Sequence, residues 1–310
     1  IMLIGMMVVS ASAASYNDLT DKDQIVNKDA VSMLVSLGII EGKPDGSYAP
    51  TENVDRAQMA KMLSVIMNKG VDNSALYQSV NSGLTDITSH WAKGHINYCY
   101  TTGIIAGRGN GTFDPSATVT ALEAAKMLLV AVGYDPKIEG FEGADWAINV
   151  SVRADEQGIF EGFTKDLSAP LNRDDAALLI YNALDVEMIQ SYTTNNYPIV
   201  YSDHRTILSD KYGVIKVEGV VTANEWAILD DDTDTALQEG KTRIYNPDGI
   251  LSTTGNTAVA QDSSANVKTQ VFNVSTPVDM LGKAVTMYVK KTTILADSTV
   301  YGAPVAVSYT

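Results

Sequence analysis

Apolar residues recur at helical spacing through the first part of the chain and at alternate positions through the last. Val31, Leu34 and Val35 mark one amphipathic stretch; Ile96, Cys99 and Tyr100 mark a second, and Val150, Val152 and Ala154 a third. Two longer stripes, Met59-Met62-Leu63-Ile66 and Ala124-Met127-Leu128-Ala131, have the same period and read as core faces. Each short stretch ends on a glycine, Gly38, Gly103 or Gly158, where a left-handed residue would cap a helix. An apolar, strand-like step follows (Ile39-Ile40, Ile104-Ile105), and then Asp45-Gly46 or Asn110-Gly111 supplies a tight turn needing positive φ. Pro50, Pro115 and Pro170 precede second helices that open on capping boxes, Asp55 with Gln58 and Thr120 with Glu123; Asn172 with Asp175 is a variant with a shorter acid.

From about Val186 the pattern changes to alternation with Thr and Val enrichment. Strands are predicted at Val214–Val221, Ala227–Leu229, Arg243–Tyr245, Thr269–Val274, Ala284–Lys290 and Val305–Tyr309, separated by polar loops such as Ser252–Asn266. A small β-sandwich or barrel is the expected form.

The helical part repeats itself. Shifted by 65 positions, Leu19-Thr20-Asp21 falls on Leu84-Thr85-Asp86, Gly38-Ile39-Ile40 on Gly103-Ile104-Ile105, and Ala60-Lys61-Met62-Leu63 on Ala125-Lys126-Met127-Leu128. Gly42, Gly46 and Pro50 fall on Gly107, Gly111 and Pro115. A looser third block aligns at a shift of 55, with Trp91-Ala92 on Trp146-Ala147, Gly103-Ile104 on Gly158-Ile159, Gly107 on Gly162 and Pro115 on Pro170. A helix–turn–helix unit cannot bury its own apolar face, whereas three can pack about a shared axis. The capping-box helices are expected at the centre of that bundle, with the other helices outside.

The ends and the charge refine this picture. Ile1–Val9 is apolar and Ser10-Ala11-Ser12-Ala13-Ala14 is a run of small residues, the pattern of a secretory signal peptide whose beginning is clipped. The domains expected are a signal over 1–14, three repeats over 16–186 (about 16–70, 82–133 and 138–186), and a β-rich module over 187–310. No stretch is long and apolar enough for a transmembrane helix. A formal net charge of −15 argues against nucleic acid as a partner. Cys99 is the single cysteine, so no intrachain disulfide can form; a buried apolar role is expected.

The combination of Leu-Thr-Asp, His90-Trp91-Ala92, Gly-Ile-Ile-x-Gly, Asp/Asn-Gly-Ser/Thr-aromatic, a proline and a Thr-Arg-Ala-Glu-like helix start resembles the S-layer homology (SLH) domain. The resemblance implies a mainly α N-terminal half, with three SLH repeats in a pseudo-threefold bundle and grooves between them, followed by the small all-β module. It implies a secreted protein at the bacterial cell wall or S-layer, bound to pyruvylated secondary cell wall polysaccharide or another peptidoglycan-linked polymer and able to self-assemble into a surface layer. It also implies binding through the motif arginine, the tryptophan, an acid near the repeat start and glycines that admit the ligand to backbone. Carried over by position, these are Arg56 and Arg173, Trp91 and Trp146, Asp21 and Asp86, and Gly38 and Gly103.

No block holds the full set. The second has Ala121 in place of arginine, the first has Val26 in place of tryptophan, and the third has Phe141 in place of the acid. A groove between neighbours could still gather arginine from one repeat and tryptophan from the next. An arginine in the first turn of a helix, among free N–H groups, is a good seat for a ketal carboxylate. Each residue also has a structural reading: a surface ion pair for the arginines, core packing for the tryptophans, turn closure for the acids.

No catalytic constellation and no cofactor motif stands out, so the chain does not read as an enzyme. Its histidines are His90, His95 and His204, without a metalloprotease motif around them. The run Asp230-Asp231-Asp232-Thr233-Asp234 invites a Ca²⁺ reading but lacks the glycine and distal glutamate of an EF-hand loop, so a solvated acidic loop is the better one. Two alternatives stay open: a wall-anchoring region whose catalytic domain lies beyond Thr310, and a polysaccharide-binding β module carried on a repeat scaffold.

Overall fold

The computed structural model describes residues 15–229, 236–247, 268–290, 300–301 and 306–309. The signal-like stretch, Asp230–Asp234 and the Ser252–Asn266 loop lie outside the described residues. Contacts divide the chain into two units, meeting at Val200 and Tyr201.

The first unit contains three pairs of helices: α1 (Lys28–Ser36) with α2 (Arg56–Met67), α3 (Lys93–Thr101) with α4 (Ala121–Val132), and α5 (Trp146–Glu156) with α6 (Arg173–Leu184). Local chemistry sets their ends. Gly38, Gly103 and Gly158 take φ of +70°, +77° and +68° just past α1, α3 and α5. Asp55 and Thr120 form complete capping boxes with Gln58 and Glu123. At Asn172 only half the box forms, the side chain accepting from the Asp175 N–H. The Asp175 carboxylate is instead paired with Lys165; one methylene shorter than glutamate, it does not reach back to the cap. The strand-like step at Ile39-Ile40 and Ile104-Ile105 forms no strand; these side chains are buried and their backbone runs irregularly after the helix cap. Val152 is exposed rather than part of the α5 core stripe, which Val150 and Ala154 carry.

The pairs are interlocked. In the extended segments just before α2, α4 and α6, Val54 N–H donates to the Leu171 carbonyl (2.8 Å), Leu171 N–H to the Val119 carbonyl (2.8 Å) and Val119 N–H to the Val54 carbonyl (2.9 Å). These bonds close a ring, and Val54, Val119 and Leu171 are buried within it. The first helix of each pair packs on the second helix of another: α3 on α2, α5 on α4, and α1 on α6. α4 touches both α2 and α6. Asp174 ties α6 to the start of α1, accepting from the Val26 and Asn27 N–H groups and the Asn27 amide.

A hairpin absent from the sequence reading, β1 (Ile189–Tyr192) and β2 (Pro198–Val200), completes this unit. Its Tyr192 hydroxyl accepts from Asp135 N–H and donates to Glu139, which also holds Arg153 of α5. Gly133 ends α4 at φ +116°, and a Cβ there would lie 2.7 Å from the Ile189 carbonyl oxygen.

The second unit opens with a five-residue helix, α7 (Ile207–Lys211), also unforeseen. β3 (Val214–Asn224), β4 (Thr242–Tyr245), β5 (Thr269–Phe272), β6 (Ala284–Lys290), β7 (Val300–Tyr301) and β8 (Ala306–Tyr309) form one six-stranded sheet in the order β7-β5-β4-β3-β6-β8. Only β5 and β7 run parallel. Among the described residues there is no second sheet facing it, so the sandwich or barrel expectation is replaced by one sheet with its own apolar cluster around Val217, Ile244, Phe272 and Met287. Ala227–Leu229 makes only an isolated bridge, Ile228 to Ala223.

Gly94, in the first turn of α3, tests the packing of the first unit. A Cβ there would lie 2.1 Å from the Ser74 carbonyl oxygen, a backbone atom that cannot move aside cheaply. Gly94→Ala is expected to destabilise the first unit by about 3 kcal/mol. Urea unfolding would check this; a loss below about 1 kcal/mol would show that the segment at Ser74 yields.

Candidate functional site

Two grooves open on the first unit, and each is lined from three helix pairs. The first lies over Ile39, Ile40, Gly42 and Lys43, with Gln58, Lys61 and Met62 of α2, Trp91 from the start of the second pair, and Arg173 from α6. The second lies over Ile104, Ile105, Gly107 and Arg108, with Glu123, Lys126 and Met127 of α4, Trp146 from α5 and Arg56 from α2. The 65-residue shift relates the loop and helix residues of one groove to those of the other. The enclosed volumes differ, about 240 and 620 Å³, so the grooves match in lining but not in size.

The arginines enter the grooves from beneath. Arg56 donates from Nε to the Phe113 carbonyl (2.8 Å) and from Nη2 to the Ala106 carbonyl (2.9 Å), with its guanidinium 4.4 Å from the Phe113 ring centre. Arg173 repeats this toward the first pair, Nε to the Tyr48 carbonyl (2.7 Å) and Nη2 to the Glu41 carbonyl (3.4 Å), 4.8 Å from the Tyr48 ring centre. Both guanidinium planes are thereby fixed by one edge. Among the described residues neither Nη1 has a hydrogen-bond partner. Arg56 is 5% exposed; burial, and then the nearby Arg108, pulls its pKa down to about 10, which leaves it cationic at neutral pH.

The tryptophans differ in setting. Trp91 is 55% exposed, with its ring 6.4 Å from that of His95. Trp146 lies 5.7 Å from Lys126 Nζ, which also donates to the Phe141 carbonyl. Burial lowers the Lys126 pKa; Glu142 opposes that shift and Arg56 adds to it.

The acids do not line either groove. The Asp21 carboxylate accepts from the Tyr48 and Ala49 N–H groups, both at 2.7 Å, and Asp86 from those of Phe113 (2.9 Å) and Asp114 (2.7 Å). Ala49 and Asp114 sit at φ +56° and +61°, a strained region for residues with a Cβ. Each acid therefore pins the loop whose carbonyl, at Tyr48 or Phe113, fixes an arginine. Gly38 and Gly103 cap helices outside the linings; Gly42 lies in the first groove, and Gly107, Gly109 and Gly143 in the second. A Cβ on Gly107 would stand 2.8 Å from the Thr112 carbonyl oxygen, so the turn itself requires glycine. Lys61 and Lys126 were missed by sequence reasoning, although both stand inside the repeated Ala-Lys-Met-Leu block.

Among the described residues no group of His, Cys, Asp and Glu could hold a metal ion, and no helix is long and apolar enough to cross a membrane. Ser64 Oγ, His95 Nδ1 (2.6 Å) and Asp72 (3.6 Å from His95 Nε2) line up, but Ser64 and His95 are buried, which gives a substrate no approach to the hydroxyl. Cys99 is buried, and burial raises its thiol pKa.

Residues 15–60 and 83–125 match the S-layer homology domain. The two stretches contain the loops of both grooves and the starts of α2 and α4. The chain is also 28% identical over 250 residues to a cell surface protein of Thermoanaerobacter kivui, covering 80% of this chain and 30% of that protein. It is 33% identical over 113 residues to an S-layer protein of Bacillus licheniformis (36% of this chain, 12% of that one). It is 30% identical over 186 residues to an amylopullulanase of Thermoanaerobacterium thermosulfurigenes (55% and 10%). The chain thus spans less than a third of the length of these relatives.

Arg56→Ala would strip the donors from the Phe113 and Ala106 carbonyls. It is expected to cost about 2–3 kcal/mol in urea unfolding, and Arg173→Ala less, because Arg173 is more exposed and its second bond is 3.4 Å long. Equal losses would contradict the unequal anchoring.

His95 carries a pH dependence. Burial holds its pKa below 6.5, against the opposing pull of Asp72, so the folded unit favours neutral imidazole. Its contribution to stability is therefore full above pH about 6.5 and is lost as the pH falls below that. Thermal unfolding between pH 7.5 and 5 should show a steeper fall for the parent than for His95→Gln; parallel curves would refute it.

Proposed function

We propose that this chain anchors a secreted protein non-covalently to the bacterial cell wall, by holding anionic wall polysaccharide in the grooves over Gly42 and Gly107. The observation that carries the reading is the duplicated groove. Twice, a guanidinium fixed through Nε and Nη2 lines the same groove as a tryptophan, and each time the two come from different helix pairs. Nη1 and a bound carboxylate would form charge-assisted hydrogen bonds, while an indole face covers the apolar face of a sugar ring. A pyruvate ketal on the polymer supplies such a carboxylate. In this reading Asp21 and Asp86 act through the loops they hold.

The helical unit reads as three tandem SLH repeats about a pseudo-threefold axis. The closed ring through Val54, Val119 and Leu171 supports this, as does the cyclic packing of α1, α3 and α5 on α6, α2 and α4. The family match covers the first two repeats, and the third rests on the geometry of α5 and α6. Residues 1–14 are its export signal, and the sheet unit belongs to the part that builds a surface layer. A second reading has one specific support: the matching amylopullulanase is named as an enzyme, so the same anchor could serve a surface enzyme.

Co-sedimentation with purified Gram-positive walls tests the anchoring. The parent should pellet with intact walls and stay soluble with walls stripped of secondary polymer by acid; equal pelleting on both would sink the polymer reading. Trp91→Ala, at an exposed position, should fold like the parent yet pellet several-fold less.

A further inference from the structure

The grooves contain a second cation that the motif arginine does not account for. Lys61 lines the first groove together with Arg173 and is 3.8 Å from the Glu41 carboxylate, and Lys126 lines the second together with Arg56. In each groove the lysine comes from one helix pair and the arginine from another. Lys126 is half-buried and near enough to Arg56 for the two charges to oppose one another. Acids also face these cations, Glu41 at Lys61 and Glu142 at Lys126; like charges gathered in a partly desolvated groove still repel one another, and an anion between them relieves that repulsion.

The corresponding place in the third helix pair lacks this arrangement. Ala121 stands where the others have arginine and is fully buried. Leu178 stands where they have Lys61 and Lys126, and it packs beside Gly162. Phe163 takes the position of Lys43 and Arg108, and Val26 that of the tryptophan. The carbonyl of Glu161, equivalent to those of Glu41 and Ala106, accepts from the Asn182 amide at 2.9 Å rather than from a guanidinium. The third position has thus exchanged its cations for apolar groups and a neutral donor.

We propose that Lys61 and Lys126 are ligand-contacting residues which, with Arg173 and Arg56, form two two-cation clamps, so that the chain binds two anionic sugars and the third position binds none. This rests on the wall-anchoring reading and specifies its ligand as a sugar whose anionic substituent is shared between an arginine and a lysine. It also makes the ligand a cross-link between helix pairs.

The test is calorimetric titration of the full 310-residue chain with a pyruvate-ketal N-acetylhexosamine, alongside the same sugar without the ketal. The parent should bind two equivalents of the ketal sugar, and the neutral sugar at least tenfold more weakly. Lys61→Gln and Lys126→Gln should each leave one site intact and weaken the other at least tenfold, the intact site reporting that the variant is folded; Lys61→Arg and Lys126→Arg should restore binding. If the parent titrates normally but both Gln variants stay within twofold of it, the lysine assignment is overturned while the anchoring reading stands. A stoichiometry of three overturns the closed third position. A parent that pellets with walls yet ignores the ketal sugar overturns the anionic clamp, and one that does neither overturns the anchoring reading itself.

Discussion

Three backbone hydrogen bonds hold the first unit together, those that run from Val54 to Leu171, from Leu171 to Val119 and from Val119 to Val54. Buried peptide groups must find partners, and an unpaired one costs as much as a lost hydrogen bond. Here each pair of helices satisfies the extended segment of another. The three helix starts that follow are therefore fixed relative to one another, and the side chains in their first turns point into neighbouring pairs. Arg56 reaches the loop of the second pair and Arg173 that of the first. A groove lined from three helix pairs is the consequence of that ring.

Much of this was legible in the sequence, because the deciding signals are local. Gly38, Gly103 and Gly158 cap helices at positive φ, and Asp55 and Thr120 close capping boxes as their spacing implies. The meeting of arginine from one block with tryptophan from another could also be anticipated, since the first block has no tryptophan and the second no arginine. Turn closure by the acids was also readable, but the partners were not. Asp21 bonds to backbone 27 and 28 residues away, and nothing in a Leu-Thr-Asp motif names Tyr48 and Ala49 as the partners. Lysines on a helix read as solvated by default, so Lys61 and Lys126 gained meaning only when each was found lining a groove together with an arginine. In the second unit, long alternating segments such as Ala284–Lys290 were readable, whereas the α7 turn and the 189–200 hairpin are too short to rise above their surroundings. The partner strands, not the local pattern, decided that β3 to β8 form one sheet.

The two grooves also show how one scaffold divides labour among near-copies. Where the arginine is kept, a loop carbonyl waits for it, and an acid holds that loop in a strained turn. Where it is lost, at Ala121, the corresponding carbonyl of Glu161 is served by Asn182 instead. The fold does not depend on these cations: the ring persists at the position where Ala121 and Leu178 replace them. The chain's formal net charge of −15 sharpens the point, because an anionic polymer would be repelled by the molecule at large and attracted only at these local cationic grooves.

A crystal structure of the chain with a fragment of anionic wall polysaccharide would test this most directly. Density is expected in the Gly42 and Gly107 grooves, with the anionic group within hydrogen-bond distance of Nη1 of Arg173 and of Arg56 and the sugar against Trp91 and Trp146. A fragment seated on the sheet unit or at the third pair, with both arginine grooves empty, would contradict it.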